Sequence, residues 1–574
     1  MIFSFINAIL KKRFVFGGAI MNEKFKIKFI SALEKCFKDE NIDLKPELKS
    51  VSMFKNEHLS VQLAYTYTDP ALTMKSINNL EINSPLKDYI SVSVVEEVNV
   101  PLPIYHNVTD ENYLRKKPGL YPDLLRPLTY NNSVAYAYNN LNTLWIDIKP
   151  ESNLEAGIYP ITISFLDKGE VLTSASIDVE IIGANLPEQE LTYTQWFHAD
   201  CISSYYNIPV YGEKHWQIIE NYIKAAVDGG INMILTPVLT PPLDTMVGGE
   251  RPTCQLVEIF KNNGEYSFEF SKLDRWIDIL LKYNVRYIEI CHLFTQWGAA
   301  HAPKVMATVD GEYKKIFGWE TDAHGKEYGE FLTEFLTALL KFLKAKGVDK
   351  MCWFHISDEP NIEHLDNYLK AKKQIQKVLE GYPILDALSN FEFYKTGAVM
   401  NPVPANIHIK PFIEAKIPNL WTYYCCSSTT DVSNRFVAMP SARNRIMGVQ
   451  MYKYDIFGFL QWGFNFYYNQ FSDSVINPYQ DPCGEYFVPA GDAFSVYPAV
   501  DGTPLNTIHF LVFKHALEDM RALKLCESLY GKEYVMELIE SDLNSEITFE
   551  NYPHEAEYIL NLRHKVNNAI KAKI

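Results

Sequence analysis

Two patterns of hydrophobic and polar positions divide the chain. Residues 25–186 contain short runs in which apolar and polar residues alternate, for example at 59–67, 89–95, 143–148 and 159–165. A period of two, with Pro, Asn and Gly between the runs, predicts antiparallel strands. Residues 157–163 and 175–182 are predicted to form the last hairpin. Several strands of this kind predict an N-terminal β-sandwich with a structural or positioning role.

From residue 190 onward, buried runs alternate with amphipathic helices. The predicted strands are 191–197, 231–235, 285–291, 351–356, 384–388, 420–425 and 456–462, with a further candidate at 406–409. The predicted helices include 216–227, 273–281, 328–343 and 362–379. This alternation predicts a (β/α)8 TIM-like barrel over residues 190–505, with a helical segment over 506–574 packing on it. A doubly wound open sheet is the alternative, but no Gly-rich phosphate loop follows a predicted strand.

The first 24 residues fit neither pattern. An apolar run over 1–10 is followed by Lys11, Lys12 and Arg13, the reverse of the order in a secretory signal peptide. The next apolar run, 14–21, is too short to span a bilayer. We therefore predict a disordered or artefactual extension over residues 1–24, with Met1 or Met21 as the start, and a cytoplasmic location.

Composition narrows the classes of partner. The formal net charge of −16 argues against nucleic acid and anionic membrane surfaces, and no membrane insertion is expected. The 36 Tyr, 33 Phe and 9 Trp suit a protein that packs sugars on aromatic rings, although core packing accounts for most of them. The nine Cys show no zinc-ligand spacing, which predicts reduced thiols, with the neighbours Cys425 and Cys426 buried and inert.

One stretch joins a predicted strand to two adjacent acids: Trp353-Phe-His-Ile-Ser-Asp-Glu-Pro360. The apolar run predicts a buried strand, and Pro360 ends it. Because chemistry in a barrel lies at the carboxyl ends of the strands, Asp358 and Glu359 are predicted to lie on the active face. Two acids at a helix start are the structural alternative. The strand before them, and the aromatic residues at other strand ends, favour the active face.

Polar and aromatic residues also end the other predicted strands. We predict that they bind the substrate; they are His198, Asp200, His292, Gln296, Trp297, Trp421, Tyr423, Tyr424, Trp462 and Asn465. A structural hydrogen-bonded pair is an equal alternative for His198 and Asp200, and barrel core is the alternative for Trp421 and Trp462. Carboxylates with aromatic walls indicate glycoside chemistry, whereas phosphoryl transfer uses Arg, Lys and metal ligands.

The adjacency of the two acids indicates which glycoside chemistry to expect. In the usual retaining glycosidase, two carboxylates flank the scissile bond about 5 Å apart. Consecutive extended residues point in different directions and suit that arrangement poorly. They can instead divide the work on a 2-acetamido sugar, whose own carbonyl oxygen attacks C1. We predict Glu359 as general acid/base and Asp358 as the group that orients the acetamido and stabilises the oxazolinium charge.

Six motifs occur in order along the chain: His198-Ala-Asp200, Gln296-Trp-Gly298, Phe354-His-Ile-Ser-Asp-Glu-Pro360, Trp421-Thr-Tyr-Tyr-Cys-Cys426, Asn444-Arg-Ile-Met-Gly448 and Gly458-Phe-Leu-Gln-Trp-Gly-Phe-Asn-Phe466. Over about residues 190–520, they resemble glycoside hydrolase family 123 and its close relatives. The resemblance implies a retaining exo-acting β-N-acetylgalactosaminidase, built from a β-sandwich and a catalytic barrel, without a metal or organic cofactor. Its Asp-Glu pair maps onto Asp358 and Glu359.

The implied partner is a carbohydrate with a terminal 2-acetamido sugar. A β-N-acetylglucosaminidase or hexosaminidase of the same mechanism is one alternative, because the sequence does not identify the contact to the 4-hydroxyl group. A non-catalytic glycan-binding protein is another, although the intact acid pair argues against it. The natural aglycone and the oligomeric state stay open.

Overall fold

The computed structural model describes residues 14–16, 19–21, 24–71, 74–77, 79–129, 134–151, 153–296 and 298–574. Strands β1 (Phe14–Phe16) and β2 (Ala19–Met21) pair antiparallel at the start of the chain. The rest of the predicted N-terminal extension lies outside the described residues, apart from Lys24, as does Trp297. The described chain has a β-rich N-terminal part, followed by a part in which strands and helices alternate.

The N-terminal part consists of strands. They are β3 (Phe25–Ser31), β4 (Ser50–Phe54), β5 (Leu59–Tyr67), β6 (Lys75–Ile77), β7 (Asn79–Asn83), β8 (Ile90–Val100), β9 (Gly119–Pro127), β10 (Val134–Tyr136), β11 (Asn142–Ile148), β12 (Gly157–Asp167) and β13 (Glu170–Ile182). Five form a sheet in the order β3-β5-β11-β8-β9, and four form a second sheet, β4-β13-β12-β7. The predicted last hairpin is confirmed, with Ile163 opposite Ala175.

One apolar core joins the two sheets. Leu63 and Ile146 of the first sheet and Ile163 and Val179 of the second belong to the same buried cluster. Their strands alternate apolar and polar residues, so each sheet turns one face toward this core. Burial of one face of each sheet in this core accounts for the period of two along these strands.

The second part contains a six-stranded parallel sheet and smaller sheets that are parallel, antiparallel or of mixed direction. Its strands are β14 (Thr192–Gln195), β15 (Met233–Thr236), β16 (Glu258–Asn262), β17 (Glu265–Glu269), β18 (Tyr287–Ile290), β19 (Val305–Val309), β20 (Glu312–Phe317), β21 (Cys352–Phe354), β22 (Leu385–Ala387), β23 (Asn401–Val403), β24 (Trp421–Tyr423), β25 (Gly458–Gln461), β26 (Val496–Pro498) and β27 (Pro504–Asn506). Six parallel strands pair in the order β21-β18-β15-β14-β25-β24. β22 and β23 form a separate parallel pair, so the described strands form no continuous eight-stranded ladder.

Two isolated parallel bridges lie beside the β22–β23 pair. One joins Phe354 to Ile384, and the other joins Ala405 to Tyr423. The strand proposed at 406–409 is wrong, because residues Asn406–His408 form a 3-10 turn and the strand lies at Asn401–Val403. This short strand pairs only with β22 and accommodates Pro402 opposite Asp386.

Helices cover the parallel sheet and end the chain. They are α1 (Ala199–Tyr206), α2 (Glu213–Asp228), α3 (Ser271–Lys282), α4 (Lys326–Lys346), α5 (Leu365–Ile375), α6 (Phe391–Lys395), α7 (Lys410–Glu414), α8 (Ser441–Arg445), α9 (Met447–Lys453), α10 (Ile508–Tyr530), α11 (Lys532–Glu540) and α12 (Ala556–Lys571). The helices predicted near α2, α3, α4 and α5 are confirmed. Within the described ranges, none combines the length and apolar character needed to cross a bilayer.

Buried charges join the N-terminal part to the rest of the chain. The ammonium of Lys35 donates to the carbonyls of Val437 and Met439 at 2.8 and 2.9 Å. Arg443 pairs with Asp110 at 2.7 Å, and Arg563 on α12 pairs with Glu57 at 2.7 Å. Because charges buried in low dielectric are costly unless paired, these contacts fix how the two parts pack.

Candidate active site

Asp358 and Glu359 follow β21 at the carboxyl edge of the parallel sheet. The Asp358 side chain is half-buried, and its carboxylate has no hydrogen-bond partner in the described part of the chain. Burial raises the pKa of the Asp358 carboxyl well above its usual range; the carboxylates of Glu359 and Asp244 raise it further, and His355 opposes them. Asp358 therefore lies among acids, with its oxygens free to accept a donor from a ligand.

Glu359 is exposed and has a φ of +43°. A non-glycine residue in this region is uncommon, and here it directly precedes Pro360, which restricts it further. The hydroxyl of Tyr423, at the end of β24, donates a hydrogen bond to Glu359 Oε1 at 2.5 Å. Tyr423 is thus the predicted substrate-binding residue that contacts the acid pair directly.

Asp244 is a third acid at this site, and sequence analysis missed it. It lies in the loop after β15, also with a left-handed φ, of +53°. Burial raises the pKa of Asp244 to about 6, with Arg251 opposing and Glu359 adding to the shift. The only sequence signal was an acid in a loop after a predicted strand, eight residues beyond Thr236 where β15 ends. Because Asp244 lies so far from the strand end, sequence analysis did not place it at the active face.

Gln296 orders the loop that carries Asp244. Its Oε1 accepts a hydrogen bond from the Asp244 N–H at 2.9 Å, and its Nε2 donates to the Thr245 carbonyl at 3.3 Å. The hydroxyl of Ser472 donates to the Asp244 carbonyl at 2.8 Å. Both ends of the Gln296 amide contact protein backbone, so this predicted substrate-binding residue positions the loop.

Trp462 is half-buried and is held by a buried carboxylate. Its indole N–H donates to Asp492 Oδ2 at 2.9 Å, and its ring packs on Phe466 and Phe487. Burial raises the pKa of Asp492 to about 7 in spite of the nearby guanidinium of Arg435. A ring fixed on one edge and open on another can take a sugar face.

Cys425 and a tyrosine from the N-terminal part, Tyr105, both lie near this site. Glu359 and Asp492 both raise the pKa of the Cys425 thiol, after the larger effects of Cys426 and burial. Tyr105, from the loop after β8, donates its hydroxyl to the Phe487 carbonyl at 3.0 Å. The expectation that Cys425 and Cys426 are buried is wrong; both are half-buried, because they follow β24 at the open edge of the sheet.

His198 and Asp200 converge on Arg251. The guanidinium donates to both oxygens of Asp200 at 2.8 Å and to His198 Nδ1 at 3.0 Å. Because Nδ1 accepts, Nε2 carries the proton and donates to the Trp462 carbonyl at 3.0 Å. Burial and Arg251 lower the pKa of His198 to about 3. This geometry favours the structural alternative weighed for the pair.

Asn465 is fully buried beside them. Its amide accepts from the His198 N–H at 2.9 Å and donates to the His198 carbonyl at 3.0 Å. It therefore joins the segment after β14, which carries His198, to the segment after β25, which carries Trp462.

A cluster of buried charged side chains surrounds His355, three residues before Asp358. His355 Nε2 bonds Glu289 at 2.7 Å, and its Nδ1 lies 3.5 Å from Asp386. Burial favours the neutral ring, but the two carboxylates outweigh it and raise the pKa of His355 to about 9. His292 stacks on His355 at 4.2 Å, and burial and the His355 charge lower its pKa well below the usual range.

Trp421 and Tyr424 are not brought to the acid pair. Trp421 begins β24, at the opposite end of the strand from Tyr423, where its ring packs on Trp353 and Phe457. A Cβ at Gly458 would lie 2.2 Å from that ring, so only glycine fits there. Tyr424 is buried, with its hydroxyl on Asn444 at 3.2 Å.

Among the residues that the structure describes, two groups of side chains have the composition of metal ligands: His198, Asp200 and Cys201, and His292, His355 and Asp386. In the first group, the Arg251 guanidinium donates to all three side chains and occupies the place of a cation. In the second, the imidazole rings stack with an interplanar angle of 20°. A metal lies in the plane of each imidazole that binds it, so one ion does not fit both stacked rings.

Comparisons with known proteins bear on the family and the fold of this chain. The family model of the glycoside hydrolase 123 catalytic domain matches residues 196–526. A search of curated proteins finds no match. A family 123 glycoside hydrolase from Clostridium perfringens, studied for glycolipid glycan hydrolysis, is similar in structure with a TM-score of 0.70 at 17% identity, covering 96% of this chain and 97% of that chain. That likeness shows a shared fold.

Two further structures align weakly. A Bacteroides ovatus GH5 xyloglucanase has a TM-score of 0.29 at 8% identity, covering 82% of this chain and 98% of its own. A Ruminococcus gnavus beta-glucuronidase has a TM-score of 0.29 at 9% identity, covering 87% and 69%. Scores this low support no structural argument.

Proposed function

The chain belongs to glycoside hydrolase family 123, and on that premise we propose that it is a retaining exo-β-N-acetylgalactosaminidase that uses substrate-assisted catalysis. The chain is a glycoside hydrolase, so its substrate is a carbohydrate and the non-catalytic alternative is set aside. The observation that carries the finer proposal is the adjacent pair itself: Asp358 with a free carboxylate, and Glu359 held by Tyr423.

The proposed first step uses both acids at once. Glu359 gives its proton to the glycosidic oxygen as the bond from C1 to that oxygen breaks. The carbonyl oxygen of the 2-acetamido group forms a new bond to C1 from the opposite face, which gives an oxazolinium ion. Asp358 accepts a hydrogen bond from the acetamido N–H and stabilises the positive charge that develops there. Burial strengthens this electrostatic interaction.

In the second step, water attacks C1 and its proton passes to Glu359. The bond from C1 to the acetamido oxygen breaks, and the amide is restored. Two inversions at C1 leave the β configuration unchanged. Asp244, Trp462 and the fixed loop around Gln296 would hold the sugar during both steps.

We also propose that the fold is a β-sandwich followed by a (β/α)8-type barrel. The isolated bridges from Phe354 to Ile384 and from Ala405 to Tyr423 flank the β22–β23 pair on both sides, which supports ring closure of the parallel strands. The shared core of the two N-terminal sheets supports the sandwich. The cytoplasmic location stays a prediction, which cell fractionation would test.

A panel of nitrophenyl glycosides tests the function. We expect release from the β-N-acetylgalactosaminide to exceed that from the β-galactoside by orders of magnitude, and proton NMR to show the β anomer as the first product. Faster cleavage of the β-N-acetylglucosaminide would favour the hexosaminidase alternative. Equal cleavage of glycosides without an acetamido group, or a trapped sugar ester on Asp200 or Glu289, would contradict the mechanism.

A further inference from the structure

The backbone of Asp244 is fixed from two other loops. Its N–H donates to Gln296 Oε1 at 2.9 Å, and its carbonyl accepts from Ser472 Oγ at 2.8 Å. These contacts hold the residue at a φ of +53°, where only Gly, Asn and Asp are common. The two hydrogen bonds therefore hold the backbone from which the Asp244 side chain extends in one conformation.

The carboxylate of Asp244 has no hydrogen-bond or ion-pair partner among the residues described. Arg251 is the nearby cation, but its guanidinium donates to Asp200, His198 and the Leu243 carbonyl. Gln296, which holds the Asp244 N–H, directly follows Thr295, and the Thr295 carbonyl accepts a hydrogen bond from Ser357 Oγ at 2.8 Å. The loop of Asp244 is therefore tied to the segment that carries Asp358 and Glu359, and the raised pKa values of Asp244 and Asp358, to which Glu359 contributes, agree with this. A half-buried carboxylate left without protein donors is satisfied by donors from water or a ligand.

We propose that Asp244 is a substrate-binding residue that accepts hydrogen bonds from the C3 and C4 hydroxyl groups of the terminal sugar. The inference rests on the proposed function, because Asp358 is then occupied by the acetamido group at C2. The hydroxyl groups at C3 and C4 are the next donors around the ring. A carboxylate has two oxygens and can accept both, and charge-assisted bonds of this kind are stronger than neutral ones. Asp244 would then discriminate between C4 epimers.

The test compares Asp244→Asn and Asp244→Gly with the wild type on the nitrophenyl β-N-acetylgalactosaminide and on its 3-deoxy and 4-deoxy analogues. Both replacements tolerate a positive φ, so the loop keeps its shape. We expect kcat/KM on the parent sugar to fall about 10²- to 10⁴-fold, since a site built to bond a hydroxyl depends on that bond. Each mono-deoxy analogue already lacks one of the two proposed bonds, so on it the same change should cost about 10- to 100-fold less than on the parent sugar.

Two controls separate recognition from folding and charge. Asp473→Asn removes an exposed acid from the loop that carries Ser472, and it should leave kcat/KM on all three sugars unchanged. Thermal unfolding of the Asp244 variants should match that of the wild type. An equal loss on the parent and both deoxy sugars, or no loss on any of them, would overturn the proposal.

Failure of the proposed function would give a different result from failure of the proposal for Asp244. If the wild type cleaves another sugar and no 2-acetamido glycoside, the reaction assignment falls. The deoxy series is then made on the sugar that is cleaved, and Asp244 is judged on that series by the same hydroxyl dependence.

Discussion

The hydroxyl of Tyr423 lies 2.5 Å from Oε1 of Glu359 and donates a hydrogen bond to it. The two residues come from different strand ends, and Glu359 has a left-handed backbone at this contact. The bond therefore joins β24 to the loop after β21 and fixes the side chain assigned as the proton donor. An acid held in one orientation needs no reorganisation during proton transfer.

Tyr423→Phe should lower kcat/KM by about 10- to 100-fold, the range for losing one hydrogen bond to a charged group. The ring stays, so the fold should persist. Tyr454→Phe is a matched control, because that hydroxyl bonds the Ile547 carbonyl away from the acids. Steady-state kinetics on the nitrophenyl β-N-acetylgalactosaminide makes the comparison. Equal effects of the two variants would show that the Tyr423 bond has no catalytic role.

Glu359→Gln should remove general acid catalysis and reduce the rate on unactivated glycosides by about 10²- to 10⁴-fold. The loss should shrink on dinitrophenyl glycosides, whose leaving groups need little protonation. The ratio of the two losses is the measurement. Full activity of this variant on an unactivated disaccharide would place the acid elsewhere.

Asp358→Asn should act through the acetamido group. The oxazolinium N–H⁺ would lose its anionic partner, and losing one such electrostatic contact costs about 10²- to 10³-fold in kcat. A thiazoline analogue of the oxazoline should inhibit the wild type and bind the variant more weakly. Unchanged thiazoline affinity in the variant would remove Asp358 from the assigned role.

His355→Gln should change how stability depends on pH. The two carboxylates raise the pKa of His355 from 6.5 to about 9 in the folded protein. Its contribution is therefore complete below about pH 6.5 and is lost as the pH rises through about 9, amounting to about 3 kcal/mol. Denaturant unfolding from pH 6 to 10 should show the gap between wild type and variant narrowing. The exposed His564→Gln is the control; a constant gap for His355→Gln would refute the buried imidazolium.

Sequence analysis predicted those elements in which the order of apolar and polar residues reflects which positions are buried. Strand β21 before the acid pair is part of a buried apolar run, and helix α4 and the hairpin of β12 and β13 carry the period of their element. Strands β16, β17, β19 and β20 were missed, because they are short and form a separate sheet of mixed direction beside the parallel one. Local patterning cannot identify such an insertion.

The site was predictable where chemistry directly follows a strand. Asp358, Glu359 and Tyr423 met that condition, whereas Asp244 depends on a loop held by Gln296 and Ser472 from far along the chain. Trp421 shows the converse. It lies at a strand end, but at the amino end of β24, where it pairs with Gly458 away from the acid pair.

The charge pairs of Arg443 with Asp110 and Arg563 with Glu57 also constrain how this protein can change over evolutionary time. A gene rearrangement that supplied a different N-terminal module would remove the carboxylate partner of Arg443 and one of the two carboxylate partners of Arg563, the other being Asp519. It would also deprive the Val437 and Met439 carbonyls of the Lys35 ammonium. Only a replacement with equivalent charged side chains at these positions could pack on the hydrolase part in the same way. The β-rich part and the hydrolase part are therefore expected to be inherited together, as one gene.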